Sequence, residues 1–329
     1  MEEKLKLDFN KAIEGLNLSN NNINLRKKNL YEFIKNGFPN KRKEDWKFSD
    51  LNQIINFNIK ELSFYNNTLS SYNVDESIYV KNFDHNKFVF INGSISKIEL
   101  NYEEKNKIEI IEELRVNEKV SESNVLIALN NAFASNYIKL IVKENYSFKK
   151  PLIIYNVTNK DLNSKVLNQR IDITLEKNSS LNVINLFDDT SKNNFININQ
   201  NFEVGRDAIL KNYKIDHKNN SNIKYFYNNI DLANNSVVET FVFSKGSKFI
   251  KNEINCNLKD KYSSAFINGI INLDNFKHHE IKTNINHLAE NTKSYQLIKS
   301  VLEDSSKGIY QGKIFVDSKA QKTNGYQLS

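Results

Sequence analysis

The sequence predicts a mainly β protein, a parallel β-helix of about 28 residues per coil preceded by a helical N-terminal region. The first observation is that short β-rich runs alternate with polar turns from about residue 149 onward. The second is a small residue that follows a polar turn at intervals of 28, 28, 28 and 30 residues, at Ser180, Ala208, Ser236, Ser264 and Ser294. The third is that each interval holds two strands and two turns. Strand pairs at a fixed period indicate a solenoid, whereas a β-sandwich has no constant period.

The chain divides into two predicted parts, a helical region over residues 1–80 and a β-helix core over residues 81–329. The core includes a helix near residues 121–134, with Ser121 or Ser123 as the expected N-cap. The apolar residues of this helix recur with the helical period, at Val125, Leu126, Leu129, Ala132 and Phe133.

The helical region contains a second amphipathic pattern, in which Leu30, Phe33 and Ile34 share one helix face. Asn24 is the expected N-cap of this helix, and Gly37 suits the position just after its end. The segment that follows, KRKEDWKFSDLNQII, holds the only tryptophan of the chain. We expect a basic surface segment that is anchored in a core by its aromatic residues Trp46 and Phe48.

Within the solenoid, the residue seven positions after each small corner residue is apolar. Equivalent residues of successive coils stack on one another in a β-helix. The repeat therefore predicts one interior column formed by Phe187, Ile215, Phe243 and Ile271.

The composition limits the function classes. The net charge is +7, but lysines and carboxylates are interspersed, and the abundant Asn, Lys and Ile share A/T-rich codons. Codon bias explains this balance better than a nucleic-acid surface, which would need arginines and spaced exposed aromatics. One Cys excludes internal disulfides and fits a reducing compartment. No signal peptide or membrane-spanning run is recognisable, so we expect the cytoplasm, or the plastid stroma if the source is an organelle.

No phosphate-binding glycine loop and no metal-binding motif such as Cys-x-x-Cys occurs in the chain. Cys256 and His287 are the remaining weak metal candidates. Cys256 is expected to be a buried, inward-facing thiol, in a column with Asp172, Gln200, Asn228 and Asn286. His287 lies in the neighbouring column, behind Asn201, Asn229 and Asn257, and is expected to face outward. Cys256 and His287 should therefore not bind one metal together. The run His278, His279 and Glu280 is a further weak candidate, which we interpret as a solvated loop.

Two groups of residues resemble a known family. The segment RKEDWKFSDL places Arg42, Glu44, Trp46 and Lys47 in an Arg-x-Glu-x-Trp-Lys pattern. The second group lies near the C-terminus and comprises His287, Ser294, Gly308, Gly312, Ala320, Gln321, Lys322, Thr323 and Gln327. With these residues and the strand FVFINGSIS, the chain resembles the SufB/SufD family of iron–sulfur cluster assembly scaffold proteins. The Ala-Gln-Lys-Thr run favours the SufD branch.

The resemblance implies a non-catalytic scaffold subunit that pairs with a SufB-like protein and docks a SufC-like ATPase through C-terminal helices. It implies no cofactor held by this chain alone, and a transient iron–sulfur cluster shared with a partner. The family's cluster-site histidine lies in a Cys-Ser-His-Gly motif that this sequence lacks, so that role is assigned to no residue here. We interpret the chain as lacking the family's C-terminal end and its docking segment.

A β-solenoid enzyme or binding protein that acts on carbohydrate is the alternative. Such an enzyme would need carboxylates and basic residues clustered on one outward face of the solenoid. The repeat columns carry mainly Asn there, which favours the scaffold interpretation.

Overall fold

A computed structural model describes residues 2–14, 16, 18–59, 62–64, 75–112, 124–134 and 137–329. Over these residues the α-helices are α1 (Glu2–Glu14), α2 (Asn20–Asn36), α3 (Leu51–Asn58) and α4 (Val125–Phe133). The strands are β1 (Asn86–Ile91), β2 (Ser94–Glu99), β3 (Ile108–Glu112), β4 (Tyr137–Val142), β5 (Leu152–Thr158), β6 (Val166–Leu175), β7 (Ser180–Asp189), β8 (Phe195–Val204), β9 (Ile209–Asp216), β10 (Ile223–Leu232), β11 (Val237–Ser244), β12 (Phe249–Leu258), β13 (Ser264–Leu273), β14 (His278–His287), β15 (Lys293–Leu302), β16 (Lys307–Val316) and β17 (Asn324–Leu328).

From β4 onward, successive strands of the chain alternate between two sheets. The nine-stranded sheet has the order β17-β15-β13-β11-β9-β7-β5-β1-β2, and the eight-stranded sheet has the order β16-β14-β12-β10-β8-β6-β4-β3. The pairs are parallel except at one end, where β2 and β3 pair antiparallel with β1 and β4. The predicted parallel β-helix is confirmed, with about seven turns of about 29 residues each.

The corner that leads into each strand of the nine-stranded sheet has a repeated construction. A residue with left-handed backbone, such as Asn178 (φ 54°) or Asn235 (φ 54°), precedes a buried small residue. The hydroxyl of this small residue donates to the carbonyl three positions earlier, at 2.7 Å from Ser179 and also from Ser236. Asn tolerates the left-handed region better than most residues, so these corners do not require glycine.

The predicted repeat differs from the observed register by one residue in some coils. Ser180 pairs with Ile209, and Val237 with both Ile209 and Ser264. The stacked corner residues are therefore Ser179, Ala208, Ser236, Ser263 and Thr292, whose backbone groups join neighbouring coils. A shift of one residue moves a side chain to the opposite face of a strand.

The predicted interior column is wrong for the same reason. Phe187 and Ile271 are buried inside the solenoid, but Ile215 and Phe243 lie on the outer face of their strands and are only half-buried. The interior residues at the level of Phe187 are Asp216 and Ser244. The solenoid interior is therefore polar in part.

An ionic group occupies this polar part. The Nζ atom of Lys224 is completely buried and forms ion pairs with Asp189 and Asp216. A second buried lysine, Lys214, has its Nζ atom 4.2 Å from the Phe226 ring centroid and 3.5 Å from a side-chain oxygen of Asn252. Burial, opposed by the nearby Asp216 charge, lowers the pKa of Lys214 to about 7.

Helix α2 begins earlier than the sequence indicates. Helix α2 starts at Asn20, and its N-cap is Ser19, whose hydroxyl accepts from the Asn22 amide, so the prediction of Asn24 as the cap is wrong. Gly37 ends α2 with a φ of 65°, as predicted.

Helix α4 is capped by Asn124, whose side-chain oxygen accepts from the Leu126 and Ile127 amides. The predicted caps Ser121 and Ser123 lie outside the described residues.

The helices cover the outer face of the eight-stranded sheet. Phe9, Phe33 and Phe64 form a core with the outward residues Phe195 and Tyr225 of that sheet. A strand buried on both faces reads as a continuous buried run, and residues 223–226 show this burial. In the part of the chain that the structure describes, no helix has the length and apolar character that a membrane crossing requires.

The inward alternation of the strands can be tested at Ile285, which is fully buried beside Cys256. We expect Ile285→Ala to lower the free energy of unfolding by about 2–5 kcal/mol, because it leaves a cavity in the interior. The matched control, Asn284→Ala, changes the adjacent outward residue and should cost less than about 0.5 kcal/mol. Urea denaturation measures both, and equal losses would contradict the alternation.

The buried Lys214 gives a pH prediction. Its pKa is lower in the folded state than in the unfolded chain, so the unfolded chain binds more protons between about pH 7 and the usual lysine pKa. The destabilising effect of the charge is thus complete below pH 7 and fades as the pH rises. Lys214→Met should be more stable than the wild type by about 1–4 kcal/mol at pH 7, and the difference should shrink by pH 9.5. Urea denaturation at both pH values tests this, with Lys299→Met at an exposed position of the same sheet as control, and a constant difference would refute it.

Candidate functional site

The segment around Trp46 docks on the outer face of the eight-stranded sheet. A short 3-10 helix, Glu44–Trp46, buries the Trp46 ring. The Nζ atom of Lys251 lies 4.4 Å from the ring centroid and donates to the carbonyl of Asp45 at 2.7 Å. The Tyr225 ring lies 5.8 Å away on the next strand. A cation–π contact and a charge-assisted hydrogen bond thus hold one turn of the segment in place.

Lys251 is itself balanced by a buried carboxylate. Its Nζ atom lies 2.5 Å from Glu280 Oε2, and both side chains are almost fully buried. His278 Nε2 lies 3.0 Å from the other oxygen of Glu280, close enough for an ion pair but not aligned as a hydrogen bond. Burial raises the pKa of Glu280, but His278 and Lys251 outweigh it and lower that pKa overall.

The interpretation of His278, His279 and Glu280 as a solvated loop is wrong, because all three lie in β14. His279 points to the interior, 2.8 Å from Ser244 Oγ and 2.6 Å from the Ser247 carbonyl. Burial lowers the pKa of His279 to about 3, so the ring is neutral. Among the described residues no group of three or more His, Cys, Asp or Glu side chains has the geometry of a metal site.

A second lysine of the same face, Lys282, joins the segment to the sheet. Its Nζ atom lies 2.6 Å from Asp45 Oδ1 and 2.9 Å from Glu253 Oε1. The other oxygen of Glu253 accepts from the Tyr225 hydroxyl at 2.8 Å, and that hydroxyl accepts from Asn124 at 2.7 Å. The network therefore connects the Trp46 segment, the cap of α4 and three strands.

These elements border a groove of about 470 Å³, called here the Trp46 groove. The N-terminal segment and the start of α4 form one wall, and the outer face of β10, β12, β14 and β16 forms the floor. The groove is lined by Pro39, Lys43, Asp45, Trp46, Asn124, Val125, Tyr227, Glu253, Asn255, Lys282, Asn284, Asn286, Lys313 and Phe315.

The other residues of the N-terminal pattern lie at the surface. Arg42, Glu44 and Lys47 are exposed, and Lys47 Nζ lies 3.2 Å from Glu44 Oε1. Trp46 is buried as expected, but Phe48 is 43% exposed, so the expectation that it anchors the segment is wrong. One aromatic residue and two lysines of the sheet provide the anchoring.

His287 lies in the interior, which contradicts the expectation that it faces outward. It pairs with Leu258 and is completely buried. Its two ring nitrogens lie 2.6 Å from Thr292 Oγ1 and 2.9 Å from Ser294 Oγ. Burial lowers the pKa of His287. A neutral ring with both nitrogens bonded to hydroxyls ties β14 to the next corner, which is a structural role.

The residues of the C-terminal pattern lie in the last coils, and Ser294 among them contacts His287. A side chain at Gly325 would meet His287 Nε2 at 3.5 Å, and one at Gly312 would overlap the Gln327 amide. Ala320 is buried in the last corner, while Gln321, Lys322 and Thr323 form the turn beside it, where Lys322 has a φ of 58°. Gly308 lies against Leu302. This pattern is explained by close packing between the last coils.

Cys256 is completely buried, as predicted, but its column differs from the predicted one. It pairs with Ile230 and Ile285. Asp172 and Asn286 lie on the outer face, while Gln200 and Asn228 lie in the interior two residues along the strands, at the level of Ile254. Burial raises the pKa of the Cys256 thiol well above its usual value, so the thiol is not a ready nucleophile or ligand.

Sequence reasoning missed the lysines of the anchoring network, Lys251 and Lys282. A weak signal exists, because Lys251, Glu253, Glu280 and Lys282 place opposite charges at outward positions of two neighbouring strands. Such charges form buried ion pairs only if another segment of the chain covers them. The cover, Asp45, is about two hundred residues away in sequence.

Comparison with known proteins agrees with the fold and with these patterns. The family model described as "SUF system FeS cluster assembly, SufBD core domain" matches residues 156–329. The chain is 20% identical over 301 residues to the "Iron-sulfur cluster assembly protein SufD" of Escherichia coli (strain K12), covering 90% of this chain and 70% of that protein. The match spans both the Trp46 segment and the surroundings of His287. This chain belongs to the SufB/SufD family of SUF-system iron–sulfur cluster assembly proteins, and within that family it is SufD-like.

Proposed function

We propose that this protein is a non-catalytic scaffold subunit of iron–sulfur cluster assembly that pairs with a SufB-type partner. The family match over the solenoid is the observation that carries the proposal. The residues support a structural role, because Trp46, His287 and Gln327, which belong to the family-like patterns, are engaged in docking and packing.

In this proposal the cluster is cargo, and it is shared with the partner. A cluster is normally held by four protein ligands, mostly thiolates. The single thiol of this chain, Cys256, is buried in an apolar column with a raised pKa. The ligands would therefore come mainly from the partner, while this chain provides a rigid surface beside them.

The partner would join an edge of the solenoid. Strand addition at the end of a parallel sheet supplies main-chain hydrogen bonds and needs no pocket. The two sheets end side by side, so a partner solenoid could extend both at once. ATP hydrolysis in this proposal belongs to a SufC-type subunit.

The thiol proposal predicts slow labelling of Cys256. With a disulfide reagent at pH 8, Cys256 should react about a hundredfold more slowly in the native protein than in urea, because reaction requires local opening. Ser318→Cys, at an exposed turn, provides a fast-reacting control. Fast native labelling of Cys256 would overturn this, as would a folded Cys256→Ala variant that no longer supports cluster delivery.

The partner proposal predicts that this chain and a SufB-type protein co-purify in equal amounts. Hydrogen exchange should then slow at one end of the two sheets, in β16 and β17 or in β2 and β3, since edge amides become paired. The central strands β8–β11 should not change and serve as the internal control. Absence of a complex, or protection confined to α1–α3, would contradict pairing through the solenoid.

A further inference from the structure

We propose that the Trp46 groove is a docking site for a short acidic segment of a partner protein. The inference goes beyond the scaffold role and does not depend on how the solenoid edges pair. It rests on the charges, the floor and the rigidity of the groove.

The charges of the groove leave a positive surplus. The two carboxylates, Asp45 and Glu253, both pair with Lys282, at 2.6 and 2.9 Å. Lys43 lies on the wall, and Lys313 lies on the floor, where it pairs in register with Asn284. Both lysines are exposed and, among the described residues, have no carboxylate within ion-pair distance. A carboxylate-bearing chain that lies along the floor beside this wall would meet both lysines.

The floor suits a peptide backbone. Asn255 and Asn286 are linked in an amide ladder on the outer face, where the Asn286 amide donates to Asn257 at 2.8 Å and to Asn255 at 3.3 Å. Asn284 lies on the same strand as Asn286 and also lines the groove. A carboxamide offers both donors and acceptors, which matches the alternating N–H and C=O groups of an extended peptide.

The wall is rigid before any ligand arrives. Lys251 holds the Trp46 ring and the Asp45 carbonyl in place. On the floor, Phe315 is 46% exposed and offers apolar contact to the aliphatic part of a side chain. A preformed wall lowers the ordering cost of binding.

The same features disfavour nucleic acid. A phosphate backbone carries one charge per nucleotide, and binding it requires a run of uncompensated basic residues. Here Asp45 and Glu253 would face the phosphates, and among the described residues no arginine lines the groove. A peptide can combine carboxylates with neutral residues, so it can place carboxylates at Lys43 and Lys313 and neutral groups at Asp45 and Glu253.

The experiment uses Trp46 as the reporter, since it is the only tryptophan of the chain and lines the groove. The full chain is titrated with an acetylated, amidated hexapeptide of four glutamates and two leucines, and with the same peptide carrying glutamine for glutamate. We expect the acidic peptide to change Trp46 fluorescence and to bind about tenfold more tightly than the neutral one, with affinity falling as salt is added.

Matched variants locate the site. Lys43→Gln and Lys313→Gln should each weaken binding of the acidic peptide about three- to tenfold. Lys293→Gln removes the same charge from an exposed site on the other sheet and should change the affinity less than about twofold. All three positions are exposed, so unchanged circular dichroism is expected to confirm the fold.

Three outcomes would overturn the proposal. Equal binding of the neutral peptide would show that charge is not recognised. An equal effect of Lys293→Gln would show attraction to net charge alone. A stronger Trp46 response to inorganic phosphate or to a single-stranded oligonucleotide, at equal charge concentration, would assign the groove to those anions instead.

Discussion

The register between successive coils is the constraint on which the whole molecule depends. Each strand pairs with the strands one coil before and one coil after it, so the face that a residue occupies is inherited along the sheet. Cys256 is buried because Ile230 and Ile285 are its neighbours in register. The same register places Lys251 and Lys282 on the outer face, where the N-terminal segment covers them.

The period of the solenoid could be predicted from the sequence because polar turns and small corner residues recur in the right order. The register could not, because the turns differ in length by one or two residues and the strand alternation has a period of two. For this reason the predictions that Phe187 and Ile271 are interior are confirmed, whereas the predictions for Ile215 and His287 assign the wrong face. Burial of Cys256 was predicted correctly from its apolar flanks, although its column was not.

The site was only partly accessible from the sequence. Trp46 was singled out as an unusual buried residue and by family resemblance, but its partners Lys251 and Glu280 are distant in sequence and belong to an unremarkable strand pattern. Nothing local distinguishes a lysine that will be covered from one that will remain in solvent. The decisive information is which outer face the helices cover, and that is a property of the tertiary structure.

The corners have a consequence for how such a sequence can evolve. Over the described residues, twelve non-glycine positions have left-handed backbone, and seven of them are asparagine: Asn92, Asn145, Asn178, Asn193, Asn235, Asn275 and Asn291. Glycine is the usual solution there, yet the chain has only nine glycines. Asn codons are rich in A and T whereas Gly codons are rich in G, so a genome under strong mutational pressure toward A/T can lose most of its corner glycines without losing the turns. The β-helix is thus an architecture that tolerates extreme base composition, because its corners require a left-handed backbone conformation that both Asn and Gly can adopt.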